Sequence, residues 1–396
     1  MRARDSWLAH PLPQYSANVK IVVVGGAGEV GKEVTRELAR SDEVGELVVA
    51  DLHQQRAHQL VESLAAPHVS AVGLDVRDGE AALEVLAGAD VLMNCTSFVL
   101  YDHVIELARR ARVDYADLIS EPTPAQRTRV EQAGVTAISG LGATPGLSNV
   151  LVRHASEELD LLEEVHISWV SLRTIAPTPG ALATLLWELS DECPTRQYFQ
   201  SGRYERAAAL EGSRLVRFAE PVSTQRVYYV PHTEVKTLPR HFPGLRYCAV
   251  RGTWRPELME DARVLNKYGL LSGTALESTK ARIWEHFGGQ RDHAAWALFV
   301  NVELIGSQDG HTVRRVYDAS HPLDWGQDGM ARMTGICAAV GAQLLARHGR
   351  GEAGFVDPEI YFDPHEFLDE LGRRGGVALD WSDSQVNGAV LERPAV

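Results

Sequence analysis

The run Gly26-Ala27-Gly28-Glu29-Val30-Gly31 restricts the fold of this chain more than any other stretch of it. It follows the β-branched run Lys20-Ile21-Val22-Val23-Val24, which ends at Gly25-Gly26 and reads as a buried strand. Behind it, Val30, Val34, Leu38 and the small Ala39 share one helical face between Val30 and Arg40. A G-x-G-x-x-G between strand and helix has a physical logic. The first glycine permits the tight turn, the second lets a pyrophosphate approach the backbone, and the third lets the helix pack closely on the sheet. The helix N-terminus then favours the diphosphate charge.

An acidic residue stands where this arrangement needs one. Asp51 ends the second strand, Leu47-Val48-Val49-Ala50, where a carboxylate can bond both ribose hydroxyls. The expected cofactor site is Gly26, Ala27, Gly28, Glu29, Val30, Gly31 and Asp51, supplemented by Asp75 and Val76 after the third strand. A 2′-phosphate beside Asp51 would be repelled, so the expected cofactor is NAD; Arg56 would soften the preference.

The rhythm continues to about residue 150. Helix Ala57–Leu64, strand Val69–Leu74, helix Gly79–Leu86, strand Val91–Met93 and helix Tyr101–Ala111 follow in turn. Strand Tyr115–Leu118, helix Thr123–Ala133 and strand Val135–Ile138 complete six strands with helical crossovers, a doubly wound parallel sheet. Beyond Leu151 the runs Val165–Leu172, Arg226–Val230, Leu245–Val250, Ala297–Ile305 and Thr312–Tyr317 are strand-like. Asp309-Gly310 between the last two signals a hairpin, so an α+β region with a largely antiparallel sheet is expected. Met330, Met333, Ile336, Cys337, Val340, Leu344 and Leu345 recur at helical spacing, as in a core helix. The predicted fold is α/β: a doubly wound Rossmann domain over 18–150, an inserted α+β substrate and dimerisation domain over 151–325, and a C-terminal helix and tail over 326–396 that packs back on the first. One short helix, Phe367–Arg373, is expected in that tail.

Charge narrows the partners. A formal net charge of −14 repels nucleic-acid backbones and anionic membranes, which argues against both. The four cysteines, Cys95, Cys193, Cys248 and Cys337, are too scattered for a disulfide framework or a zinc site, and read as buried free thiols. Met1–Tyr15 lacks the apolar stretch of a signal peptide, and no apolar run approaches a membrane span, so a cytoplasmic protein is expected; the scattered cysteines suggest no metal.

Ligands of doubly wound sheets bind beyond the carboxyl ends of the strands. That rule selects Asn94, Cys95 and Thr96 after the fourth strand, Asp117 to Glu121 after the fifth, and the glycine-rich loop Gly140–Asn149 after the sixth. Asn94-Cys95, the Asp117 strand end, and Gly142-Ala143-Thr144-Pro145-Gly146 with Asn149 together resemble the saccharopine dehydrogenase family. Pro243-Gly244-Leu245, Arg255-Pro256 and Leu265 to Leu270 are similar to its middle domain, and Phe355 to Glu359 with Phe362-Asp363-Pro364 to its tail. Gly31-Lys32-Glu33, Asp51 and the tail look most like the NAD-dependent lysine 6-dehydrogenase branch, although Ile119-Ser120-Glu121-Pro122 departs from it. The resemblance implies hydride transfer between nicotinamide and a carbon bearing nitrogen, and a homodimer formed through the sheet of the middle domain. Lysine 6-dehydrogenase is the leading expectation. An imine-reducing enzyme of the saccharopine or carboxynorspermidine type, a non-catalytic NAD-binding protein and a redox-neutral enzyme that keeps its NAD bound are the alternatives.

Such chemistry needs a group that moves a proton near neutral pH. Asp117, Tyr101 and His232 are the candidates: Asp117 and Tyr101 flank the expected crevice, and His232 ends a strand of the second domain. Asp117 reads equally well as a loop-ordering carboxylate, and Glu121 and His103 as helix-start residues. Arg173, Arg251 and Arg255 are candidates to clamp a substrate carboxylate. Cys95 has no basic neighbour to activate it and is expected to pack.

Overall fold

The computed structural model describes residues 19–190, 193–290, 298–349 and 351–385. The Met1–Tyr15 segment, residue 18 at the first expected boundary, Ala297 and the end of the expected tail lie outside these residues. Among the described residues the strands are β1 (Val19–Val24), β2 (Val44–Asp51), β3 (Val69–Gly73), β4 (Val91–Asn94), β5 (Asp114–Asp117), β6 (Thr136–Ser139), β7 (Leu161–Ser171), β8 (Gln197–Gln200), β9 (Arg203–Arg206), β10 (Arg214–Arg217), β11 (Thr224–Tyr229), β12 (Tyr247–Thr253), β13 (Leu298–Gln308), β14 (His311–Ser320), β15 (Gly354–Val356) and β16 (Ala378–Gln385). The chain forms two compact units, residues 19–150 with Ala331–Gly375, and Leu151–Met330 with residues 376–385.

The first unit is the expected doubly wound sheet. Its strand order is β15-β6-β5-β4-β1-β2-β3, and every neighbouring pair is parallel. A parallel sheet covered on both faces needs strands that are apolar throughout. Ile21, Val22 and Val23 of β1 and Leu92 and Met93 of β4 are accordingly fully buried. One face packs Val22, Val24 and Leu92 against Val104, Leu107 and Val130 of the crossover helices. The seventh strand, β15, was not expected; three residues are too few to show an alternation, and only its place beside β6 makes it a strand.

The helix Gly329–His348 supplies the close packing of this unit. A Cβ on Gly335 would lie 2.6 Å from Cβ of Glu33, and one on Gly341 2.7 Å from Leu141, so glycine is what allows the approach. By length and composition this helix would also suffice to cross a membrane, contrary to the sequence reading. Its apolar residues are covered by protein instead, 78% of its most apolar window being buried. Near its end Arg347, fully buried, pairs with Glu43 at 2.6 Å, Glu366 at 2.8 Å and Glu370 at 2.5 Å.

The second unit is a nine-stranded mixed sheet in the order β10-β11-β12-β7-β13-β14-β16, with β8 on β12 and β9 on β8. All its pairs are antiparallel except β12 with β7. Asp309 (φ 51°) and Gly310 (φ 76°) make the expected hairpin, both residues left-handed as its twist requires. The tail divides, which corrects the sequence reading. Residues 331–375 belong to the first unit, including the helix Pro364–Arg374, but β16 returns to the second and pairs along β14. Its polar, mostly exposed residues suit an edge strand and hid it among the aspartates and glycines.

Arg347→Met removes the cation that Glu43, Glu366 and Glu370 share, while Glu366 keeps His348 and Glu370 keeps Arg373. A loss of about 1–3 kcal/mol is expected, measured by urea denaturation.

Candidate active site

The carboxyl ends of β1, β2 and β4 meet backbone to backbone. Gly25 has φ +69°, and a Cβ there would lie 2.8 Å from the Cys95 carbonyl oxygen, so only glycine turns the chain here. The sequence reading began the motif at Gly26 and overlooked Gly25; the doubled glycine was its signal. A Cβ on Gly26 would meet Val49 at 2.8 Å, and one on Gly31 would lie 2.1 Å from the Gly25 carbonyl. Gly28 differs. Its missing Cβ would meet one atom, the Gly25 carbonyl oxygen at 3.0 Å, which would have to give by a few tenths of an ångström. The side is otherwise bare, which fits close approach by a diphosphate. The helix that starts at Gly31 directs its N-terminal end to the same turn, through Glu29 and Val30.

Asp51 joins β2 to this turn. It is 8% exposed; Oδ2 accepts from the Ala27 amide at 3.0 Å and Oδ1 from the His53 amide at 2.9 Å. Thr35 donates to the Gly26 carbonyl at 3.1 Å from the following helix. Asp75 is exposed and chelated by Arg77, whose guanidinium and amide hold the carboxyl at about 2. Val76 has its side chain in the apolar core, and its carbonyl lies 2.7 Å from Nε2 of His103. Its side chain faces inward, so the part of Val76 left for the expected cofactor site is its backbone.

Behind the β4 loop runs a buried polar chain. Asn94 accepts from the Thr96 amide and hydroxyl at 3.0 and 2.7 Å, and donates to Tyr115 at 2.9 Å. Tyr115 donates to Asp117 Oδ2 at 2.8 Å, and Ser139 to Oδ1 at 2.8 Å. Asn94 and Asp117 are register partners, and Tyr115 lies on the same side of β5 as Asp117, two residues back. Asp117 is completely buried, and burial pushes its carboxyl up to about 6 against the opposing bonds from Ser120, Tyr115 and Ser139. Of its two sequence readings, loop ordering matches this geometry, because both oxygens are spent on protein.

Tyr101 is buried nearby. Burial and the charges of Asp117 and Cys95 push its phenol well above the usual range, with the Ile119 amide opposing. It stays protonated. Cys95 is half-buried, and burial with the Asp117 charge raises its thiol, consistent with packing rather than nucleophilic chemistry. In the next loop Gly146 (φ +120°) crosses within 2.4 Å, at Cβ, of the Gly142 carbonyl. Asn149 accepts from the Gly146 amide at 3.0 Å and donates to Glu359 at 2.9 Å, tying two distant stretches of the family resemblance.

The second unit holds His232 in a cluster of its own. His232 is 8% exposed and stacks on Trp169 at 5.9 Å between ring centroids. Its Nδ1 lies 3.6 Å from Glu234, which is fully buried. Burial lowers the imidazole pKa, but the Glu234 contact and the charges of Glu234 and Glu188 outweigh it, so the net direction is up. Burial raises Glu188, against the charges of His232, Arg173 and Arg196. Sequence reasoning found His232 and Arg173 but missed Glu188, Glu234 and Trp169, whose one available signal was the spacing His232-Thr233-Glu234. Arg251 is buried among Tyr229 and Tyr247 at 3.1 and 2.7 Å, and Arg255 caps the helix Pro256–Lys267. Glu121 is exposed, and Thr123 with Gln126 forms the actual capping box there.

Gly31→Ala must shift backbone and is expected to cost about 1–3 kcal/mol of stability. Gly28→Val, with its one close contact at 3.0 Å, is expected to cost less than that and leave the chain folded, while weakening dinucleotide binding at least about tenfold, as read by fluorescence titration. For Asp117, the folded-state carboxyl lies above its ordinary 3.8, at about 6, so the folded chain holds this proton more tightly than the unfolded chain. Stability from it is complete below the ordinary value and lost as pH rises through the folded one, by about 3 kcal/mol. In Asp117→Asn, denaturation curves between about pH 4 and 7 should lack that component.

Comparison with known proteins agrees with this geometry. Residues 21–138 match the family described as saccharopine dehydrogenase NADP binding domain. Carboxyaminopropylagmatine dehydrogenase of Synechocystis is 23% identical over 93% of this chain and 98% of its own length. Carboxynorspermidine synthase of Vibrio alginolyticus is 23% identical over 90% of this chain and 95% of its own. Among solved structures, the apo saccharopine dehydrogenase (L-Glu forming) from Saccharomyces cerevisiae superposes with a TM-score of 0.68 at 17% identity, over 93% of this chain and 100% of that one. In its glycine turn, its parallel sheet and the match over residues 21–138, the chain is similar to the saccharopine dehydrogenase family, and the relatives it resembles along its length include a named dehydrogenase.

Proposed function

We propose that this chain is an NAD-dependent oxidoreductase that reduces the imine joining an amine to a carboxylate-bearing carbonyl compound, or oxidises the C–N bond of the joined product. The observation that carries the reading is the side of Gly28, bare but for one backbone carbonyl, beside the Asp51-locked turn. Gly26 to Gly31 would hold the diphosphate, and Asp51 the adenosine ribose. Asp51 also opposes a 2′-phosphate, which favours NAD although the matching family is described as NADP-binding. The bound dinucleotide supplies or accepts the hydride.

The names of both relatives denote carboxylated amines, which supports condensation-type chemistry over the lysine 6-dehydrogenase activity expected from sequence. His232 is the proposed acid–base group; burial lowers its pKa, but Glu234 and Glu188 outweigh this and favour its protonated form, the form that gives a proton to an imine nitrogen. Those two carboxylates also favour a cationic substrate. Asp117 and Tyr101, buried and bonded to protein, are assigned to positioning the loops after β4 and β5.

Oxidation of NADH in the presence of an amine and a carboxylated aldehyde, compared with reduction of NAD by L-lysine alone, tests the reading. Turnover is expected in the first assay, with NADH preferred over NADPH and the preference reduced in Asp51→Asn. Turnover with lysine alone and none with the pair would return the assignment to lysine 6-dehydrogenase. His232→Asn is expected to lower kcat about 100-fold or more with NADH affinity unchanged. It should also remove the decline in reductive rate as pH rises through the histidine's elevated pKa.

A further inference from the structure

The nine-stranded sheet has a second polar site on the face that His232 does not use. Side chains alternate along a strand, so Trp169, which stacks on His232, points opposite to Ser168 and Val170. On the Val170 side the β10–β11 hairpin folds across the sheet, with Val216 and Phe218 packed on Val170 and Phe299. Between this hairpin and β13, β14 and β16 lies a cavity of about 340 Å³, the size of a small-molecule site.

Its lining carries both signs of charge in two rows. In one, Glu303 is 4% exposed and pairs with Arg214 and with Arg314, the latter at 2.5 Å. Glu303 is the register partner of Val316, so the Arg314 guanidinium reaches to the Val316 row. In the other row, Asn301, 5% exposed, donates to its partner Asp318 at 2.8 Å. Arg217 lines the same space from the hairpin. The rows are two residues apart along the strands, about 7 Å. Arginine donors at one end and the amide and carboxyl oxygens of Asn301 and Asp318 at the other recognise opposite charges.

We infer that this cavity is a binding site for a zwitterionic amino acid whose carboxylate and amine lie about 7 Å apart, the carboxylate at Arg314 and Arg214 and the amine at Asp318 and Asn301. A chain of four to six carbons between the two groups spans that distance. The site is separate from the dinucleotide cradle, and its occupancy does not depend on the reaction assigned above.

Isothermal titration of the full chain with 6-aminohexanoate tests this, with hexanoate and hexylamine as one-ended controls. The expected result is one saturable site per chain, with each control binding at least tenfold more weakly. Asp318→Leu should weaken binding at least tenfold. Ser382→Trp, an exposed position of β16 at the cavity lining, should do the same without touching the buried pairs. Equal affinity for the controls, or unchanged binding in a folded Ser382→Trp, overturns the proposal. So does a wild-type chain that takes up no 6-aminohexanoate and whose mass by light scattering falls in Ser382→Trp, since a second copy would then occupy this face.

Discussion

Everything at the candidate site depends on a backbone approach that side chains would forbid. Gly25 turns in the left-handed region against the Cys95 carbonyl, and Gly31 brings the following helix onto the Gly25 carbonyl. These contacts draw the ends of β1 and β4 together at the point where strand order reverses. Asp51 then pins the third wall by accepting from Ala27. One carboxylate thereby shapes the turn and sets the charge that a dinucleotide ribose would meet.

Behind that turn, rigidity comes at an electrostatic cost. Asp117 is an ionisable group sealed in the interior, and four hydrogen-bond donors offset only part of its desolvation. The Asn94-Tyr115-Asp117-Ser139 chain links β4, β5 and β6 at their carboxyl ends, fixing the loops where ligands of such sheets bind. In the other unit, buried Glu234 and half-buried Glu188 raise the proton affinity of His232 beside Trp169. The two groups of acids differ in what they do. One orders backbone, and the other favours the protonated form of a histidine.

The legible parts were those written in local pattern. The six strands of the parallel sheet, the Asp309-Gly310 hairpin and the core helix all follow from periodicity and turn chemistry within a few residues. The glycine turn was legible because glycine has few other reasons to recur at that spacing. What escaped was set by tertiary pairing. β15 is a strand only because β6 lies beside it, and β16 is a polar edge that pairs with β14 more than 50 residues after it in sequence. Side-chain partners escaped for the same reason: nothing near Asn149 foretells Glu359, and nothing near His232 foretells Glu188.

The central claim is that amides of the glycine turn receive a nicotinamide dinucleotide. Hydrogen–deuterium exchange of the full chain with and without NADH tests it most directly. Slowed exchange on addition of NADH should concentrate in peptides covering Gly25 to Gly31 and Asn94 to Thr96, and should vanish in a folded Gly28→Val protein. Protection confined to other segments, or none in the glycine turn at saturating NADH, would contradict the account.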